Sequence, residues 1–255
     1  MVSDALVELA LRPWGRPHAG VIVDRTEERI VELQPNFPIP GPNRVGLVRC
    51  ARERVAPLVA EVRELAAAHG LRCIWILDPD ARPESLPERL AGCRIRPGDV
   101  LSVMALPSDA DVPSGNARVE FVDALLDAAT FAIAEEVQAA AFGSGPAPRQ
   151  DGRLADARAD PSRHFFLALL DGKPAGAGWA TVHEEGVLLN GGTVVPRFQG
   201  RGVYRALIAA RLDLARRLGV AGIATHARLD TSAPILDRLG FHTVGTWRMF
   251  VEAGE

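Results

Sequence analysis

The sequence predicts an α/β (α+β) chain in two halves, each a sheet flanked by helices. Three observations point there. The 255 residues exceed one ordinary domain of roughly 150. Stretches with apolar residues at three- and four-residue spacing alternate with short β-branched or aromatic runs. One order of segments also occurs twice. HGLRCIWIL, PESLPERLAG and VLSVMAL are followed later by LGVAGIATH, APILDRLGF and GTWRMFV; Gly70 and Gly219 stand 149 apart, and so do Leu90 and Leu239.

Composition narrows the function classes. Hydrophobic residues make up 47% and charged residues 24%, a globular balance that excludes collagen, disorder and a disulfide mini-protein. A net charge of −3 gives no reason to expect nucleic-acid binding. Lys173 is the only lysine, which reads as a coding bias toward Arg. The start, MVSDALVELALRPWG, carries Asp4 and lacks the basic region and long apolar run of an export signal. No stretch approaches the roughly 18 apolar residues of a membrane span. Cys50, Cys73 and Cys93 are odd in number and form no CxxC pair, so they read as reduced thiols of a cytoplasmic protein, with no metal.

The elements follow in order. Val21-Ile22-Val23 is a short apolar run, and the prolines of PNFPIPGPN, 35 to 43, exclude a helix. Arg52 to His69 reads as a helix, with Val55, Leu58, Val59, Val62, Leu65 and Ala66 on one face and Gly70 at its C-cap. Leu71 to Leu77 reads as a buried strand, Pro83 to Gly92 as a short helix and Val100 to Leu106 as a strand. Pro107 to Asn116 reads as a linker and Val119 to Ala141 as one helix, with loop from Gly143 to Gly152. His164 to Leu170 and Ala175 to His183 form a hairpin around Asp171-Gly172-Lys173. A strand from Val187 to Val195 ends at Pro196, and a helix runs from Val203 to Leu218. Strand Val220 to His226, helix Pro234 to Leu239 and strand Thr243 to Val251 complete the chain.

The chemistry concentrates in TVVPRFQGRGVYRAL, Thr193 to Leu207. A strand stops at proline, a glycine-containing loop follows, and a helix begins at once. Free N–H groups at a helix start converge on one spot, where the helix dipole adds about half a positive charge. Glycine admits a bulky anion close to the backbone, and Arg201 and Arg205 add charge.

This stretch resembles the pyrophosphate loop of the GNAT superfamily of acyl-CoA-dependent N-acetyltransferases. The family motif, Gln or Arg, two residues, Gly, one residue, Gly or Ala, reads here Gln199-Gly200-Arg201-Gly202-Val203-Tyr204. Thr193-Val194-Val195 is similar to the family's splayed strand, and SAPILDRLGF, Ser232 to Phe241, to its Leu-Gly-Phe ending. The resemblance spans about 119 to 251. It implies acetyl-CoA as cosubstrate, with Thr193, Val194 and Val195 along the pantetheine arm. Gln199, Gly200, Arg201, Gly202, Val203, Tyr204 and Arg205 would surround the pyrophosphate.

Two positions depart from the pattern. Tyr204, the only tyrosine, stands where the family places a small residue, and either packs away or crowds the cofactor. Leu236 occupies the position of the family's tyrosine general acid, and Asp230 that of a cofactor-touching Asn. Acyl transfer needs a neutral amine, a polarised carbonyl and a protonated leaving thiolate. The candidates for proton transfer are His226 first, His183 second and then Glu184 and Glu185. Each histidine is otherwise an ordinary strand-end residue, and an amine deprotonated in solution needs no protein base.

The first half ends in the same way but lacks the loop: PNFPIPGPNRVG, Pro35 to Gly46, is read as its counterpart. The resemblance therefore implies two GNAT-like domains with mixed, mostly antiparallel sheets. Residues 1–115 form an incomplete copy without a CoA loop, and 116–255 the acetyltransferase. The expected acceptor is a small-molecule amine, with no nucleic-acid or membrane partner; the sequence leaves a homodimer open. The rival readings are a non-catalytic acyl-CoA-binding module and, behind it, a nicotinamide dehydrogenase. For the latter, GAGWAT lacks a third glycine and lies in a hairpin.

Overall fold

The computed structural model describes residues 1–12, 20–36, 42–142 and 152–253. The first half runs α1 (Asp4–Leu11), β1 (Ile22–Arg25), β2 (Ile30–Leu33), β3 (Arg44–Gly46), α2 (Val55–Ala67), β4 (Ile74–Leu77), α3 (Leu86–Gly92) and β5 (Ile95–Pro107). The second runs β6 (Val119–Asp123), α4 (Ala128–Phe142), α5 (Arg153–Ala159), β7 (Arg163–Leu170), β8 (Lys173–Val182), β9 (Val187–Val194), α6 (Val203–Leu218), β10 (Gly222–Arg228), α7 (Ala233–Asp237) and β11 (His242–Glu252). The result is a mixed, mostly antiparallel α/β fold, as the sequence predicts. Three strands, a helix, a strand, a short helix and a strand occur in each half, which is the repeat the 149-residue offset announces.

The chain forms two compact units. One holds Arg12–Ser102, Ala227–Ala233 and Gly245–Glu255; the other holds Met1–Leu11, Val103–His226 and Pro234–Val244. In the first, β1, β2 and β3 are antiparallel neighbours and β4 lies parallel to β3. β11 lies antiparallel to β4, with Phe250 opposite Trp75. Helix α2 forms because Val55, Leu58, Val59, Val62 and Ala66 share one stripe, and that stripe is buried. It ends where Gly70 takes φ +68° and the Leu71 N–H donates to the Ala66 carbonyl at 2.9 Å. Trp75, Leu58, Leu90 and Phe250 lie in this unit's core. Burial also pushes the Cys73 thiol up to about 12.

In the other unit β6, β7, β8 and β9 form an antiparallel meander, and β10 joins β9 in parallel through α6. The β7–β8 turn is the two-residue Asp171-Gly172, both in the left-handed region (φ +54° and +73°), as a primed hairpin turn requires. Helix α1 belongs here. Leu6 and Leu9 are fully buried, and a methyl on Gly186 or Gly222 would come within 2.7 and 2.9 Å of Leu6. The end of β5 lies here too, followed by a Ser108 N–H bond to the Ala221 carbonyl at 2.9 Å.

The structure corrects three expectations. Val119 to Ala141 is not one helix. Val119–Asp123 pairs with β7, and the helix starts only after Asp127, whose carboxylate accepts the Thr130 N–H at 2.8 Å. The strands read from Leu71 and from Val100 begin instead at Ile74 and Ile95. The proline-rich 35–43 stretch connects β2 to β3, and its residues 37–41 lie outside the described residues. The first half's strand-to-helix connection is therefore Leu47–Arg54. The loop expected from Gly143 to Gly152 lies outside the described residues up to 151.

Candidate functional site

The site begins where two strands part. β9 and β10 pair at Val187–Ile223, Leu188–Ala224 and Leu189–Thr225, and the register ends there. β9 nevertheless runs on to Val194 and β10 to Arg228. From Asn190 on, the side of β9 away from β8 has no strand partner among the described residues. A bulge shapes the same stretch. Ala177 faces Thr193 and Trp179 faces Asn190, so Gly191 and Gly192 together stand opposite Gly178. Gly191 takes φ +56°, and its carbonyl accepts the Gln138 amide of α4 at 2.7 Å.

Beyond Val194 the chain makes a 3-10 turn, Pro196–Phe198, then enters Gln199–Gly202. The Gln199 side chain donates back to the Val194 carbonyl at 3.3 Å, which fastens the loop to the strand. Gly200 and Gly202 sit at φ +71° and +79°. A methyl on Gly200 would meet nothing within 4 Å, so its front is open. The first intrahelical bond is from the Ala206 N–H to the Gly202 carbonyl at 3.0 Å. Among the described residues no acceptor takes the N–H groups of Gly200, Arg201, Gly202, Val203, Tyr204 or Arg205. These are the orphan donors of a helix start, extended by two left-handed glycines. Arg197, Arg201 and Arg205 surround them, all exposed and none ion-paired to a described residue. Arg197 and Arg201 lie over the buried Phe198 ring at 5.0 and 5.7 Å. The combination of open donors, a helix dipole and three uncompensated cations is an anion cradle.

Residues outside the motif hold the cradle in place. A methyl on Gly115 would fall 2.6 Å from the Ala206 nitrogen, so the chain passes directly against the first turn of α6. Asn116 donates to the Arg201 carbonyl at 3.0 Å. The sequence reads this stretch as linker; Gly-Asn after Pro-Ser was its only signal. Arg211 is fully buried under the bulge. It donates to the Leu207 carbonyl at 2.9 Å and the Trp179 carbonyl at 3.3 Å and meets no carboxylate among the described residues. Methyls on Gly178 and Gly192 would lie 2.9 and 3.0 Å from its guanidinium, so the glycines make its room. Burial lowers its pKa to about 10, which leaves it charged at neutral pH. Tyr204 turns inward to the same place: its ring lies 3.5 Å from a methyl built on Gly192, and burial raises its pKa.

The proton-transfer candidates are dispersed. His226 follows the last paired residue of β10, at the mouth of the splay, and its Nε2 lies 2.9 Å from the Ala10 carbonyl. His183 is buried in the turn between β8 and β9, where its N–H donates to the Gly186 carbonyl at 2.8 Å. Glu184 in the same turn is exposed and Glu185 half-buried. That turn adjoins Val187, at the opposite end of β9 from Val194, about 23 Å away at ~3.3 Å per residue. Thr193 and Val194 are buried on the splayed strand and Val195 is half-buried. Leu236 is fully buried, and Asp230 is exposed, 3.5 Å from Arg228. Among the described residues no cluster of metal-ligating side chains occurs and no helix is long and apolar enough to cross a membrane.

Residues 130–241 match the model of the acetyltransferase (GNAT) family. No curated protein matches the chain. Among solved structures, the chain is similar to a GCN5-related N-acetyltransferase from Kribbella flavida, at 18% identity over 98% of this chain and 96% of that one, with a TM-score of 0.70. A GCN5-related N-acetyltransferase from Sphaerobacter thermophilus matches at 19% identity, 95% and 84% coverage and a TM-score of 0.61. A tandem GNAT protein from the clavulanic acid biosynthesis pathway matches at 18% identity, 98% and 88% coverage and a TM-score of 0.55. The match to the GNAT family thus lies in 130–241, and the whole chain shares its fold with proteins of that kind.

Proposed function

We propose that this protein is an N-acetyltransferase that moves an acetyl group from acetyl-CoA to the amine of a small molecule. The observation that carries the reading is the row of open N–H groups from Gly200 to Arg205, set between the splayed strand and three unpaired arginines. This donor set fits a pyrophosphate, which needs many donors and positive charge. Thr193, Val194 and Val195 would run beside the pantetheine arm. The cosubstrate supplies an activated acetyl group: the amine nitrogen bonds to the thioester carbon, the C–S bond breaks, and the proton lost by nitrogen balances the thiolate. His226, at the mouth of the splay, is the first candidate to accept that proton, and His183, Glu184 and Glu185 follow. Residues 116–255 would then be the catalytic half, and 1–115 a copy without a donor loop. The protein would work in the cytoplasm, without metal.

Three observations favour a second reading, a non-catalytic acyl-CoA-binding module. Leu236 replaces the family's tyrosine, the His226 ring is engaged with the Ala10 carbonyl, and the other candidates adjoin the far end of β9. Calorimetric titration with acetyl-CoA, followed by thiol release across a panel of amines, separates the two. Binding with amine-dependent thiol release is the expected result. Binding without release selects the module, and no binding overturns both. A turnover and pH profile unchanged in His226→Ala would remove that residue from the reaction.

A further inference from the structure

Arg163 opens β7 on the side of the sheet covered by α4. Its guanidinium lies 4.5 Å from the centroid of the Trp179 ring. That ring stacks on Phe165, with centroids 4.0 Å apart and planes 5° from parallel, and Phe131 of α4 meets both edge-on. Arg163 is half-buried, and desolvation lowers its pKa. It makes no ion pair and no side-chain hydrogen bond with any described residue. Its neighbour Arg153 is desolvated as well, but Arg153 is paired with Glu135. Asp160 and Asp156 act on Arg163 only through space. Taking a guanidinium out of water costs several kcal/mol unless an anion meets it, and a cation–π contact returns only about 0.5–2 kcal/mol. Among the described residues no carboxylate touches this guanidinium; Asp160 and Asp156 offset its charge only from a distance.

Its position gives that charge a use. Phe165, beside Arg163, faces Trp179 across the β7–β8 pair, and Trp179 faces Asn190 across β8–β9. Directly opposed residues share a face, as do alternate residues of one strand, so Arg163, two residues before Phe165 and opposite Thr181, lies on the same α4 side as Trp179 and Asn190. Asn190 is exposed and is the first residue of β9 beyond its last pair with β10. At ~4.8 Å between strands, β7 stands about 10 Å from β9 and the splay. Gln138 fixes α4 over Trp179 by accepting its indole N–H at 3.3 Å while donating to the Gly191 carbonyl.

We propose that Arg163 receives a carboxylate of the acceptor, so that the substrate class is an amine carrying an acid group, its body over Trp179 and its nitrogen at the splay. This rests on the acetyl-transfer reading above and adds the acceptor's class to it. The test offers acetyl-CoA with ω-amino acids from glycine to 6-aminohexanoate, and with n-alkylamines of matching length. The wild type is expected to prefer the acids at least tenfold in kcat/KM, most for the longer members. Arg163→Gln is expected to raise KM for the acids about tenfold, leave the alkylamines unchanged and retain acetyl-CoA binding by calorimetry. Arg163→Lys is expected to restore part of the preference. An arginine that only packs on Trp179 would lower the melting temperature on substitution without changing the ratio of acid to alkylamine. Acetyl-CoA binding with no preference for the acids, or with no use of them, overturns the proposal alone. Absence of acetyl-CoA binding by the wild type overturns the acetyl-transfer reading first, and the proposal with it.

Discussion

The connections from β3 to α2 and from β9 to α6 occupy the same place in the two halves, and they have opposite states. After β9 the backbone runs free, turns through two left-handed glycines and presents six unclaimed N–H groups. After β3 several backbone groups are instead bonded within the protein. The Arg49 N–H donates to the Glu28 carbonyl at 2.8 Å, the Cys50 N–H to the Arg82 carbonyl at 3.3 Å, and the Arg82 N–H returns to the Val48 carbonyl at 2.9 Å. Arg49 closes the seam with a two-pronged ion pair to Asp78, at 2.7 and 3.3 Å. Arg54, before α2, is neutralised by Glu28 and Glu61. From Leu47 to Arg54 there is no glycine. The first half therefore keeps its sheet without a cradle of this kind. A strand bridge between Arg49 and Arg82 and the Arg49–Asp78 pair stand in this connection, and the Arg49 and Cys50 donors are spent on the protein itself.

The largest effect should come from placing one negative charge in each connection. Gly200→Asp keeps a residue tolerant of positive φ but aims a carboxylate at the cradle. It is expected to weaken acetyl-CoA at least about a hundredfold, ~2.8 kcal/mol. Ala51→Asp in the closed connection should leave calorimetric affinity unchanged. Equal losses in both would break the comparison. Next, Asp78→Ala unseals the first half by stranding Arg49. A loss of about 2 kcal/mol in chemical unfolding is expected, with acetyl-CoA affinity intact; a loss of affinity would mean that the closed half takes part in binding. Third, all three cysteines lie in the first half. The buried Cys73 thiol titrates at about 12, above its ordinary 9.0. Its folded pKa is raised, so its contribution is complete below pH 9 and is lost as pH rises toward 12. Cys73→Ala should flatten that alkaline decline in a urea midpoint series, and an unchanged slope would assign the decline to other groups. The smallest effect tests the repeat itself. Gly70 and Gly219 sit at φ +68° and +69°, each with nothing within 4 Å of an added methyl. Alanine at either should cost about 1 kcal/mol, through backbone strain alone. A melting-temperature change at only one would show that the two helix ends are not equivalent.

Much of the C-terminal half was legible because its signals are local. The stripe of α6, the Asp-Gly turn and the proline after β9 each act within a few residues, and they stand where the pattern placed them. What escaped depended on distant partners. Val119–Asp123 is apolar enough to merge with the following helix, and only its pairing with β7 makes it a strand. Helix α1 was unreadable as structure because Leu6 and Leu9 are buried against residues some 180 and 215 positions later, Gly186 and Gly222. At the site, the glycine loop was legible and its supports were not. Gly115, Asn116 and Gln138 act across long separations, and the room for Arg211 is made by two glycines on other strands, Gly178 and Gly192. The proline-rich segment was assigned to the strand-to-helix connection because the short strand β3, three residues long, gave no signal of its own.

One feature of the fold bears on how the protein comes into being. The unit built on Arg12–Ser102 is completed by β11, whose residues 245–252 are among the last of the chain. Trp75, in the centre of that core, faces Phe250. During synthesis at about 5–20 residues per second, β4 emerges with one edge bare and waits for roughly 170 further residues before its partner strand exists. The half that was made first is therefore finished last. A ribosome stalled anywhere in the second half leaves an open β edge and an uncovered tryptophan, a substrate for chaperones rather than a folded domain.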